Sequence, residues 1–106
     1  MNWVTLTKEG QLTDILNSDK PVAIFKHSTR CSISSMAKNR VERLWNFETP
    51  IYYLDLIALR GISNKIAEIS GVEHESPQLL IFHAGKCVYH ASHNMIMSEP
   101  LNEYLN

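Results

Sequence analysis

The 106-residue chain reads as an α/β protein, a mixed sheet of about five strands flanked by helices in the order βαβαβαββα. Three observations predict it. The first half alternates strand-like runs with segments of helical periodicity, which requires parallel strands joined by right-handed crossovers. Val22-Ala23-Ile24-Phe25 is a continuous apolar run, the pattern of a strand covered on both faces. Near the end, Gln78–Phe82 and Lys86–Ala91 flank Ala84-Gly85 as an antiparallel hairpin. A chain of this length has room for one core, so residues 1–106 are taken as a single domain.

Trp3–Leu6 reads as a short first strand. Thr7 is the expected N-cap of a helix whose Leu12, Ile15 and Leu16 share a face. Lys20-Pro21 ends that helix, because proline disfavours α geometry in the residue before it. After Val22–Phe25, the positions Ile33, Met36, Ala37, Val41 and Leu44 recur at helical spacing, with Lys38, Asn39, Glu42 and Arg43 opposite. This is an amphipathic helix running to about Trp45 or Asn46. Glu48-Thr49-Pro50 breaks it, and Ile51–Leu56 is rich in aromatic and branched residues, as strands are. Ile62, Ile66 and Ile69 mark a helix closed by Gly71. His74–Pro77 is a loop before the hairpin, and Ser98-Glu99-Pro100 is the expected start of a last helix.

Composition excludes several classes. A net charge of −1 with no run of basic residues gives no basis for nucleic-acid binding. The residues after Met1 lack the basic and long apolar parts of a signal peptide, and no apolar stretch reaches membrane-spanning length. Two cysteines, Cys31 and Cys87, are too few and too far apart for a disulfide framework or a zinc cluster. His74, His83 and His90 have no motif spacing, so no metal site is expected. A reducing cytoplasm fits this cysteine usage.

The chemistry concentrates where the second strand gives way to the second helix, Phe25-Lys26-His27-Ser28-Thr29-Arg30-Cys31-Ser32-Ile33-Ser34. A thiol at a helix N-terminus meets unpaired N–H groups and the positive end of the helix dipole. Both favour thiolate, so Cys31 is expected to have a lowered pKa and to be nucleophilic. Three residues on, Ser34 can donate to that sulfur but cannot form a disulfide with it. The expected chemistry is monothiol: attack, mixed disulfide, and release by an external thiol. Cys31 taken alone also fits a buried structural cysteine at a strand–helix junction.

The element order, with a cysteine after the second strand and a proline before the fourth, resembles the thioredoxin fold over essentially the whole chain. That resemblance implies a cis peptide at Pro77 beside the thiol, with Ser76 pairing its backbone to an extended substrate. More narrowly, Phe25–Ser34 together with Glu75-Ser76-Pro77-Gln78 resembles the monothiol bacilliredoxin (YtxJ-like) family. Members of that family carry a Thr-Cys-Pro-Ile-Ser type of site and remove bacillithiol, a small thiol of many Firmicutes, from protein mixed disulfides. Here Arg30 stands between Thr29 and Cys31, and Ser32 replaces the proline, which loosens the first turn. The resemblance implies no bound cofactor, bacillithiol as co-substrate, and bacillithiolated proteins and free bacillithiol as partners, with a monomer as the expected state.

On this reading Cys31 is the nucleophile and Ser34 its hydrogen-bond partner. Arg30, Ser32, Ser76, Pro77, Lys26 and His93 are the candidate substrate contacts. Lys26, His27, Arg30 and His93 would form a cationic rim for the malate of bacillithiol, although each is also readable as a surface or loop residue. Cys87 lies near the hairpin turn, about 15 Å or more from Cys31 at about 3.3 Å per strand residue, and is read as structural. The alternatives are a glutaredoxin-like iron–sulfur carrier, for which Ser-Ile-Ser replaces the favoured Gly-Phe-Ser, and a stress adaptor without turnover.

Overall fold

A computed structural model describes residues 2–105. Strands β1 (Trp3–Thr5), β2 (Val22–His27), β3 (Ile51–Asp55), β4 (Gln78–His83) and β5 (Lys86–Ser92) form one sheet in the order β1-β3-β2-β4-β5. β3 runs parallel to β1 and β2, while β4 is antiparallel to β2 and β5. Helices α1 (Gly10–Asn17), α2 (Ser32–Leu44), α3 (Arg60–Ser70) and α4 (Asn102–Leu105) complete the chain, with a 3₁₀ turn over His93–Met95. This is the predicted element order.

The central strand β2 is buried along its whole length, as its unbroken apolar run requires. Strand alternation sends Ala23 and Phe25 to one face, against Ala37, Val41 and Trp45. Val22 and Ile24 go to the other, against Leu12, Ile15, Ile62 and Ile66. Phe25, Ile24, Leu79 and Leu80 are 0% exposed, and burying each such side chain contributes about 1.5–3 kcal/mol.

Several local expectations shift. Thr7 does not cap α1, which begins at Gly10. Instead the Gln11 side chain accepts the N–H groups of Thr7 and Lys8 and donates to the Thr5 carbonyl, tying β1 to the helix. Ser98 turns its hydroxyl back to the Met95 carbonyl, and the last helix starts only at Asn102. On α2 the buried stripe is Ser34, Ala37 and Val41, whereas Ile33, Met36 and Leu44 are exposed. The helix is rotated so that its small residues face the sheet. Gly71 closes α3 at φ 70°, and Ala84 and Gly85 turn the hairpin at φ 54° and 80°. Glycine takes this left-handed region at low cost, whereas Ala84 does so at about 1–2 kcal/mol.

Candidate active site around Cys31

β2 delivers the chain to the C-terminal edge of the sheet, and residues 28–31 turn it into α2, with the Cys31 N–H donating to the Ser28 carbonyl. Cys31 is the N-cap of α2 in extended geometry, and its carbonyl accepts the first helical hydrogen bond, from Ser35. The thiol is partly exposed and unpaired with another cysteine. It makes no capping bond to the helix N–H groups, so the expected direct donation to sulfur is not seen. What acts on the sulfur here is its position at the positive end of a helix of 13 residues.

Ser34 is placed differently from the sequence expectation. Its side chain is 0% exposed. Its Oγ accepts the Ser28 N–H at 3.0 Å and lies 2.7 Å from His27 Nδ1. Among the described residues no hydrogen bond joins Ser34 to Cys31. The Ser34 hydroxyl is thus engaged by His27 and the Ser28 N–H, and not by the sulfur. Burial first, then the Lys38 ammonium, holds His27 below its ordinary pKa, against the opposing Asp55 carboxylate. The hydroxyl therefore braces the 27–34 turn.

The cationic rim is smaller than the sequence implied. His27 is buried beside Phe25 and Tyr53, with ring centroids 5.9 and 5.5 Å away. Lys26 is 0% exposed, and its neighbour in the strand points to the opposite face, as the period of two requires. Lys26 Nζ donates to the Ser63 carbonyl at 3.1 Å and lies 3.3 Å from His74 Nδ1. Burial lowers its pKa from 10.5 to about 8. It cannot contact a ligand at the surface and, contrary to the expectation from the sequence, is not a substrate contact. Arg30, Ser32 and His93 are exposed and available.

The Ser76–Pro77 peptide is cis. Pro77 leads into β4, where Gln78 faces Lys26 on one side and Ser92 on the other. The His93 N–H donates to the Pro77 carbonyl at 3.1 Å, bringing the end of β5 to this loop. An open cavity of about 480 Å³ lies along the outer side of β5, lined by Glu75, His90, Ser92, His93 and Glu99 among others. The Ser76 backbone enters no backbone–backbone hydrogen bond among the described residues, and its buried Oγ has no partner.

Sequence reasoning missed His74, Ser63 and Gln78 as parts of this end of the molecule. Ser63 comes from α3, His74 from the following loop and Gln78 from β4; Gln78 closes the Glu75–Gln78 motif and His74 adjoins it, but the motif assigns neither a role. Cys87 pairs with Phe82 at the far end of β4 and donates to the Tyr89 carbonyl at 3.4 Å. Burial raises its pKa.

Comparison with solved structures places the fold. One described as a candidate oxidoreductase with a thioredoxin fold superposes with a TM-score of 0.81 at 32% identity, covering 89% of this chain and 85% of that one. A thioredoxin from Plasmodium falciparum matches at 0.75 with 12% identity, over 99% of this chain and all of the other (100%). One from Nicotiana alata matches at 0.73 with 11% identity, over 98% and 93%. The last two show the fold alone. The family model for monothiol bacilliredoxin BrxC matches residues 4–101. With a thioredoxin fold and a free thiol at the head of α2, this is a thiol redox protein, and the chain belongs to the monothiol bacilliredoxin BrxC family.

Proposed function

We propose that the protein removes bacillithiol from protein mixed disulfides through Cys31 by a monothiol route. The observation that carries this reading is the pairing of an accessible thiol at the helix start with a serine three residues on, while the other cysteine lies at the opposite end of the sheet.

The Cys31 thiolate attacks the bacillithiol sulfur of a bacillithiolated protein. A Cys31–bacillithiol disulfide forms, the original disulfide breaks, and the protein leaves as thiolate and takes a proton from water. A second bacillithiol thiolate then attacks the adduct, regenerating Cys31 and releasing bacillithiol disulfide. With Cys87 held at the far end, no internal thiol competes for the adduct. The unpaired Ser76 backbone is free to pair with an extended substrate, with Arg30 as the cationic contact and His93 as a hydrogen-bonding contact for the malate. Exposed Ile33 and Met36 add an apolar flank that suits a protein substrate.

The test is intact mass after incubation with oxidised bacillithiol and, in parallel, oxidised glutathione. One bacillithiol on Cys31 and no glutathione adduct is the expected result. Equal labelling by both removes the specificity, and no labelling removes the reaction.

A further inference from the structure

Residues 72–76 approach β4 without any backbone–backbone hydrogen bond among the described residues. Side chains hold this segment instead. The Ser70 hydroxyl accepts the Val72 N–H, the Gln78 amide donates to the Glu73 carbonyl, and His74 Nδ1 meets Lys26 Nζ and Ser63 Oγ. Of these, Lys26, Ser63 and Gln78 are at most 1% exposed.

Lys26 is the costly member. No carboxylate pairs with it among the described residues, whose ion pairs are Lys38–Glu42 and Lys65–Glu68. A buried cation without a counter-charge destabilises a fold, and a methionine would fill the same space without that cost. What the ammonium supplies is donors. One reaches the Ser63 carbonyl and one His74 Nδ1. The buried Gln78 Oε1, across the β2–β4 ladder from Lys26, accepts no hydrogen bond from it, and Gln78 reaches the segment independently through the Glu73 carbonyl. His74 must be neutral to accept from Lys26. Burial first, then the Lys26 and Arg60 charges, lowers its pKa against Glu75.

We propose that Lys26 is a positioning residue: acting through His74, it holds residues 72–76 in the geometry that offers the Ser76 backbone to substrate. The role assigned to Ser76 rests on the functional reading above; the bracing of the segment does not.

The experiment compares wild type with Lys26→Met and His74→Phe in three measurements. These are the rate of native-state cleavage after the exposed Glu73 and Glu75 by a glutamate-specific protease, the rate of Cys31 alkylation by iodoacetamide, and kcat and KM on a bacillithiolated protein. The expected result is cleavage after Glu73 and Glu75 faster by about tenfold or more, with cleavage after the remaining glutamates unchanged. KM should rise by about tenfold, with kcat and alkylation within about twofold of wild type. A merely structural lysine would leave KM alone once the protein is folded. Cleavage after Glu73 and Glu75 within about twofold of wild type, or an unchanged KM, overturns the proposal. If Lys26→Met does not fold, His74→Phe decides by the same criteria. A wild type that takes no bacillithiol sinks the functional reading, and the proteolysis arm, which needs no substrate, still decides whether Lys26 holds the segment.

Discussion

The two ends of the sheet hold one cysteine each, and they are built from different materials. At the Cys31 end β2 finishes in Lys26 and His27, β4 begins with Gln78, and α2 and α3 add Ser34 and Ser63. Those residues are all the buried polar and charged side chains among the described residues. At the Cys87 end the strand partner is Phe82, the neighbours are apolar, and the thiol's contact is a strand carbonyl. Buried polar groups cost stability unless bonded, so their confinement to one end marks where stability is traded for a shaped loop. The Cys87 end follows ordinary core rules, and burial raises the pKa of that partly buried thiol, which favours its protonated form.

The comparison breaks first on activity. Cys31→Ser should abolish adduct formation and turnover, a loss of at least about a thousandfold, while Cys87→Ser stays within about twofold of wild type. A Cys87→Ser protein without turnover would put the second thiol back into the reaction.

Alkylation sharpens it without any substrate. In folded protein at neutral pH, iodoacetamide should label Cys31 at least about tenfold faster than Cys87, and denaturant should close the gap. Equal rates in the folded state would mean the two environments do not differ where it counts.

Stability as a function of pH probes the buried lysine. Its folded pKa, about 8, lies below the unfolded 10.5, so the unfolded chain binds more protons across that window and stability rises with pH from about 8 to about 10.5. The full rise is on the order of 3 kcal/mol. Tyrosines with raised values pull the other way near the top of the range, so the quantity to measure is wild type minus Lys26→Met. A difference that is flat with pH would mean that Lys26 is not charged and buried together. The smallest effect is at Ser34. Ser34→Ala leaves the Ser28 N–H and His27 Nδ1 buried without their oxygen, and chemical denaturation should show a loss of about 1–3 kcal/mol. No loss would mean the hydroxyl braces nothing.

Much of the molecule was legible in the residues. Periodicity separated the strands from the helices, because a chain that covers one face of an element with water and the other with protein must repeat at that element's own period. The run Val22–Phe25 marked the central strand, and Gly71 the end of α3. The Cys31–Ser34 spacing announced a thiol without a neighbouring thiol, since that depends on chain order alone.

Only the tertiary structure decided which way the polar residues at the end of β2 point and what meets them. Lys26 and His27 are strand neighbours and must face opposite sides, yet nothing local says that α3 and residues 72–77 close over one and α2 over the other. The same holds for Ser34, whose partners are His27 and Ser28, and for Ile33 and Met36, whose stripe lost to Ala37 and Val41 because close helix–sheet packing admits the smaller side chains. Element identity is a property of neighbours along the chain. Burial of a given side chain is set by segments far away in sequence, and no local pattern carries that information.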